Sequence, residues 1–163
     1  MRYLIRISLV LCVSFLFIGA GTKEIKLTEG IQPGNLAPEI HLQGVDLKGE
    51  GYVLLQFWAA YDPQSRVENI QMSRTISQAQ KENLRMISIS LDENPAVFQG
   101  VVKTDPLNVT TQFNEPDGKK SAVFKNYHLK AGFTNWLIDS NGMIISKNLT
   151  PQEVIEKVKS DNT

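Results

Sequence analysis

Apolar and polar positions follow distinct rhythms along the chain and divide it into elements. Tyr52–Trp58 is almost continuously apolar and aromatic, the pattern of a strand covered on both faces. Asp62-Pro63 then places a capping residue before a proline suited to the first helical position. A helix is predicted from there to about Asn83, with Val67, Ile70, Ile76 and Ala79 as a thin apolar stripe. So narrow a stripe suits a helix laid on the outside of a sheet. Leu84–Ser90 predicts a second strand. Strand, helix and strand in that order form a βαβ crossover, whose strands run parallel.

The flanking sequence is more broken. Lys23–Gly34 is polar, with Gly30, Pro33 and Gly34 as breakers. Ile40 and Leu42, then Val45 and Leu47, alternate with polar neighbours and predict a short hairpin turning near Gly44. Asn94–Thr104 predicts a short helix ended by Pro106, and Val109–Phe113 either a minor strand or an extended loop. Pro116-Asp117-Gly118 is a turn, and Ser121–Leu129 a further short helix. Trp136-Leu137-Ile138 and Met143-Ile144-Ile145 flank Asp139-Ser140-Asn141-Gly142, whose Asn-Gly pair marks a β-hairpin. Thr150-Pro151 opens a last helix bearing Val154, Ile155 and Val158. No repeat or linker interrupts this order. One α/β domain over residues 22–163 is expected, with a mixed sheet and helices on both faces.

Composition adds a leader to this picture. The chain has 163 residues, 42% of them hydrophobic, enough for one core. Its first residues stand apart: Arg2 and Arg6 precede or flank the apolar run Ile7–Ile18, which ends in Gly19-Ala20-Gly21. Residues 1–21 thus read as a signal peptide, predicting export, to the periplasm of a bacterium. A retained membrane anchor is the alternative, against which the run falls short of the roughly 20 residues of a spanning helix. Excision takes Arg2 and Arg6 from the 17 Lys+Arg and leaves 15 against 17 Asp+Glu, a net charge of −2. No basic block remains, which argues against nucleic acid or an anionic membrane as a partner.

The one cysteine, Cys12, lies in the same leader. Leu11 before it and the apolar sequence after it speak against a lipid-acceptor role. From residue 22 onward the chain holds no thiol, so this part can neither form nor exchange a disulfide.

Three motifs resemble those of the exported TlpA/ResA-like thiol-disulfide oxidoreductases, a thioredoxin-fold family related to AhpC/TSA. Gly34-Asn35-Leu36-Ala37-Pro38-Glu39-Ile40 resembles the family's first strand, G-x-x-A-P-x-F/I. Phe57-Trp58-Ala59-Ala60-Tyr61-Asp62-Pro63-Gln64-Ser65-Arg66 resembles F-W-A-x-W-C-P-x-C-R. Asn135–Asp139 with Asn141–Ile145 resembles its closing hairpin. The likeness spans about residues 30–160 in order, and Asn94–Tyr127 falls where the family inserts an extra helix and strand. It implies a thioredoxin-like α/β fold: a central mixed sheet flanked by helices, with an N-terminal hairpin extension and a mid-domain insertion.

The resemblance breaks at the chemistry. Asp62 and Ser65 occupy the places of the family's attacking and resolving cysteines, and Phe133 that of its cis-proline. A non-proline cis bond costs about 2.5–4 kcal/mol, so Gly132-Phe133 is expected trans. The ordinary reading of Asp62 and Ser65 is a helix cap and first-turn polarity; a ligand-binding anionic site is the alternative. A hydrolase built on Ser65 with His41 or His128 lacks the G-x-S-x-G elbow. His128, at a helix end, suits local stabilisation, and two lone histidines make no metal site. The family's copper-binding relatives use a cysteine pair, absent here. No catalytic residue, metal or cofactor is therefore expected.

A redox-inactive module binding an unidentified exported peptide or protein is the first functional expectation. Its contact residues would be Trp58, Tyr61, Asp62, Pro63, Phe133 and Thr134, although tryptophans such as Trp58 and Trp136 more often belong to cores. The alternatives are an oxidoreductase in family name and a structural subunit docking through its helices.

Overall fold

The computed structural model describes residues 27–79 and 83–160. The leader 1–21 with Cys12, and the segment 80–82 assigned above to the first helix, lie outside the described residues. The central strand β1 (Tyr52–Trp58) has six of its seven residues buried, as its nearly continuous apolar run predicts. β2 (Leu84–Ser90) lies parallel to it, in register from Tyr52 opposite Leu84 to Trp58 opposite Ser90. β3 (Gln112–Asn114) extends the parallel half, settling the strand-or-loop alternative in favour of a short edge strand. β4 (Asn135–Ile138) and β5 (Ile144–Lys147) form the antiparallel hairpin on the other side of β1, giving the order β3-β2-β1-β4-β5. All the described peptide bonds are trans, Gly132-Phe133 among them.

Helices cover both faces. α1 (Pro63–Ala79) and α4 (Pro151–Ser160) lie over Leu54, Met86 and Leu137, adding Met72, Val154, Ile155 and Val158 to that core. The opposite face is closed by α3 (Ala122–Asn126) and the N-terminal segment, around Phe57, Tyr127 and Trp136. Those three rings meet at centroid distances of 4.9, 5.7 and 5.1 Å, in tilted or edge-on contacts. α2 (Pro95–Thr104) belongs to the insertion and is capped by Asn94, whose side chain accepts from Ala96 N. Gly51 starts β1 at φ +72°, where any side chain would strike the Asn83 carbonyl. Only glycine fits there.

Two expectations require correction. Residues 40–47 form no strand ladder; a turn closed by Val45 N donating to Leu42 O joins two irregular arms. Their apolar alternation has another cause, because Ile40 and Leu47 plug the core beneath Tyr127 and Trp136. The chain leading into it, residues 31–38, is held by Tyr127 Oη donating to Pro38 O (2.7 Å) and Trp136 Nε1 donating to Ile31 O (3.1 Å). It also protects the sheet edge: Gly34 N donates to Ile144 O, and Ile144 N to Asn35 O.

The second correction concerns α1. Its buried residues are Ser65, Asn69, Met72 and Ser73, while Val67 is 49% exposed. The helix presents a polar face because the sheet beneath it is polar. Gln112, Ser88, Gln56 and Asn135 stand opposite one another across four strands. Ser88 Oγ donates to Asn69 Oδ1 (2.6 Å), and Asn69 Nδ2 to Gln112 Oε1 (3.1 Å). Buried polar groups need such partners, and a stripe counted in apolar residues overlooks them.

Candidate functional site

The site forms where β1 runs into α1 and the segment before β4 faces the junction. Asp62 caps α1, its Oδ1 accepting from Ser65 N at 2.8 Å. Ser65 is buried; its Oγ donates to Asp62 O (3.1 Å) and accepts from Ala59 N (3.3 Å). Both side chains at the dithiol-like positions are thereby engaged in one turn of backbone. Neither His41 nor His128 is a partner of Ser65, so no nucleophile–base pair exists there.

A buried carboxylate holds the loop from behind. Asp92, 4% exposed, accepts from Ala60 N with both oxygens (3.1 and 3.0 Å) and from Ser90 Oγ (2.6 Å). Asn114 Nδ2 donates to Asp92 O (2.8 Å), tying the clamp to β3. No local motif marks Asp92; the signal that could find it is its place after the C-terminal end of a parallel strand, where α/β sites gather.

Across from this loop, Gly132 has φ +133° and ψ 160°, a region open almost only to glycine. That conformation gives the segment its path without a cis bond. Phe133 lands half-buried against the core, with its ring centroid 6.3 Å from that of the half-exposed Tyr61. Thr134 is fixed by Phe57 N donating to its carbonyl (3.2 Å) and by its own Oγ1 donating to Asn148 Oδ1 (3.1 Å). Lys119 Nζ stands 5.0 Å from the Tyr61 ring centroid. Between them opens a groove of about 470 Å³ whose lining includes Tyr61, Asp62, Lys119, Phe124, Lys130 and Phe133. The Tyr61 hydroxyl titrates above its ordinary value, first from partial burial and then from the charges of Asp92, Asp62 and Glu93. It stays a neutral donor at physiological pH.

Tyr61, Asp62 and Phe133 line one groove. Trp58 does not join them: it is wholly buried and packs on Phe98 of α2 at 6.2 Å between centroids, so it is a core residue. Pro63 is exposed beside the groove without lining it, and Thr134 supports Phe133 from behind. No local motif marks Lys119, Phe124 or Lys130; the folding of the insertion and of the turn after α3 brings them to Tyr61. Among the described residues, no three His, Cys, Asp or Glu side chains converge as a metal site. No described helix is long and apolar enough to cross a membrane.

A βαβ unit with its helix cap at the site, followed by a β-hairpin, defines the class: this is a thioredoxin fold. Comparison with solved structures agrees. The chain is 43% identical to a thioredoxin-like protein from Parabacteroides distasonis, with a TM-score of 0.78 over 82% of this chain and 99% of that one. It is 28% identical to a thiol-disulfide oxidoreductase from Bacteroides fragilis, with a TM-score of 0.58 over 68% of this chain and 80% of that one. StoA from Bacillus subtilis, 20% identical, shares the fold over 67% of this chain and 82% of its own, with a TM-score of 0.56. The chain belongs to the thioredoxin-like, TlpA/ResA-like family. No family model and no curated protein matches it.

Proposed function

We propose that this protein is an exported, redox-inactive thioredoxin-fold module that holds an extended peptide or partner protein in the groove between Tyr61-Asp62 and Phe133. One observation carries the reading: the groups at the two dithiol-like positions are consumed by a helix cap. An Asp carboxylate and a Ser hydroxyl cannot attack or resolve a disulfide, and the sole cysteine lies in the leader. What the site keeps is its shape, with facing aromatic side chains and main chain suited to pairing with an extended ligand, a mode that needs no thiol. Export rests on the leader at residues 1–21.

The test is affinity capture from the exported fraction with the intact protein. A partner retained by the parent and by Val67→Glu, on the exposed face of α1, is expected to be lost with Tyr61→Ala/Phe133→Ala. Loss with Val67→Glu and retention by the groove variant would favour docking through the helices instead. Turnover in an insulin-reduction assay by protein lacking residues 1–21 would restore the oxidoreductase reading.

A further inference from the structure

The groove continues past Phe133 into a wider depression of about 620 Å³, walled by Phe124 and Ala131 and rimmed by Lys119, Lys125, His128 and Lys130. Lys119, Phe124 and Lys130 line both hollows, so the two form one trough running from Tyr61 to His128. From Gly118 to Ile138 the chain holds four lysines and a histidine but no carboxylate. In sequence these side chains are scattered among apolar residues; the turns around α3 gather Lys119, Lys125, His128 and Lys130 on one wall. Lys119, Lys125, His128 and Lys130 are all exposed. Among the described residues, no ion pair involves Lys119, Lys125 or Lys130, so the wall's lysines lack acidic partners. Unpaired cations beside a concave apolar floor concentrate positive potential there.

The other end differs in sign. Asp62 faces Tyr61, and Asp92 and Glu93 lie near enough to influence its hydroxyl. A polyanion charged at every step, such as a nucleic acid strand, would meet repulsion there. A flat membrane would touch the rim and leave the floor uncovered. A polypeptide can space its charges. Among the described residues the Phe133 main chain has no hydrogen-bond partner, so pairing with an extended chain is open at that point.

We propose that the trough takes an extended acidic segment of a partner protein. Its carboxylates meet Lys119, Lys125 and Lys130, and one of its apolar side chains packs against Phe124 and Phe133. This assignment rests on the groove reading above and adds the ligand's chemistry to it.

Fluorescence anisotropy tests it with three labelled nonapeptides of one pattern, alternating Phe with Glu, Gln or Lys. At about 10 mM salt, where screening sets in only beyond about 30 Å, surface charges act at nearly full strength. The Glu peptide should bind roughly tenfold more tightly than the Gln peptide, as about three exposed ion pairs allow. Lys119→Glu/Lys125→Glu/Lys130→Glu should shift the preference to the Lys peptide, and the matching Gln triple should abolish it. Circular dichroism and melting checked on both triples separate lost folding from lost recognition. Tyr61→Ala/Phe133→Ala should weaken all three peptides. Equal affinity for the three peptides would overturn the acidic assignment and leave the groove reading standing. Binding of none, or binding indifferent to Tyr61→Ala/Phe133→Ala, would remove the groove reading and this assignment together. Displacement of the Glu peptide by oligothymidylate or phosphatidylglycerol vesicles at equal charge would make the wall a general anion surface and overturn it too.

Discussion

Replacing Asp62 and Ser65 by alanine, singly and together, asks whether the dithiol-like positions serve the fold or something beyond it. Asp62→Ala removes the acceptor 2.8 Å from Ser65 N at the start of α1. Loss of an Asp cap costs about 1 kcal/mol. Ser65→Ala removes a bond to Asp62 O and leaves Ala59 N without its partner in a buried turn. An unpaired buried donor costs about 1–3 kcal/mol. Because both side chains secure the same turn, the double variant should lose less than the sum, by at least about 0.5 kcal/mol. Asp62→Asn keeps the acceptor and should stay within about 0.5 kcal/mol of the parent. Urea unfolding at pH 7, followed by the fluorescence of the buried Trp58 and Trp136, measures all four. Thermal midpoints should fall by about 3–4 °C per kcal/mol for a domain of this size. Unchanged or raised stability in Asp62→Ala would refute the cap. The carboxylate would then be kept at a cost to the fold, as binding or catalytic groups are.

Further outcomes follow from other contacts. Gly132→Ala should destabilise by about 1–3 kcal/mol through backbone strain alone, because open space surrounds the added methyl; a melt within error of the parent would contradict the φ of +133°. Arg66 Nε and Nη2 bind the Asp105 carboxylate at 2.7 and 2.6 Å, and that hydrogen bond holds the Asp105 carboxyl below its ordinary value. A depressed folded-state value stabilises above the unfolded pKa, about 3.9, and the gain is lost as pH falls through the folded value. Arg66→Ala should therefore cost about 0.5–1 kcal/mol at pH 7, allowing for solvent around Arg66, with the difference shrinking below about pH 4 in urea titrations. Trp136→Phe should cost about 1 kcal/mol more than Trp58→Phe, since Trp136 Nε1 bonds Ile31 O while the buried Trp58 Nε1 has no partner among the described residues; equal losses would deny that bond a role.

Much of the fold was legible because its strongest elements obey single local rules. β1 is apolar at nearly every position because helices cover both sides of it, and Asp62-Pro63 starts α1 because capping acts within one turn. The Asn141-Gly142 turn likewise carries its own geometry, with Asp139 Oδ1 accepting from Asn141 N and Met143 N. What escaped notice depends on partners distant in sequence. Asn69 faces inward because Ser88 and Gln112 await it, and Ser65 because its hydroxyl closes the turn onto Asp62 O and Ala59 N, so the buried side of α1 has little apolar periodicity to read. Ile40 and Leu47 alternate like a strand yet serve as plugs in a loop. At the site, Tyr61 and Phe133 were found through motif positions, while Lys119 and Phe124 reach it only through turns in the insertion.

The two halves of the site have departed from the family pattern in ways that suit each other. A thiolate at a helix start needs the exposed donors of the first turn to remain an anion, and an oxidoreductase must leave it accessible. Here Asp62 claims one donor directly, and Ser65 reaches back to both Asp62 O and Ala59 N. The turn is closed on itself, and Asp92 fixes Ala60 behind it. On the facing segment, Gly132 supplies the bend and Phe133 fills the space with an aromatic side chain that approaches Tyr61. The closed turn gives that wall a fixed shape, and the facing phenylalanine adds apolar surface to it. Rigid aromatic side chains lose little entropy on binding, so under the function proposed above this combination would serve recognition rather than exchange. Placing Cys at 62 and 65 alone should consequently give a poor reductant of insulin, because the facing wall would still carry Phe133. Efficient turnover by Asp62→Cys/Ser65→Cys, matching the same pair combined with Phe133→Pro, would show that the facing segment never constrained the chemistry.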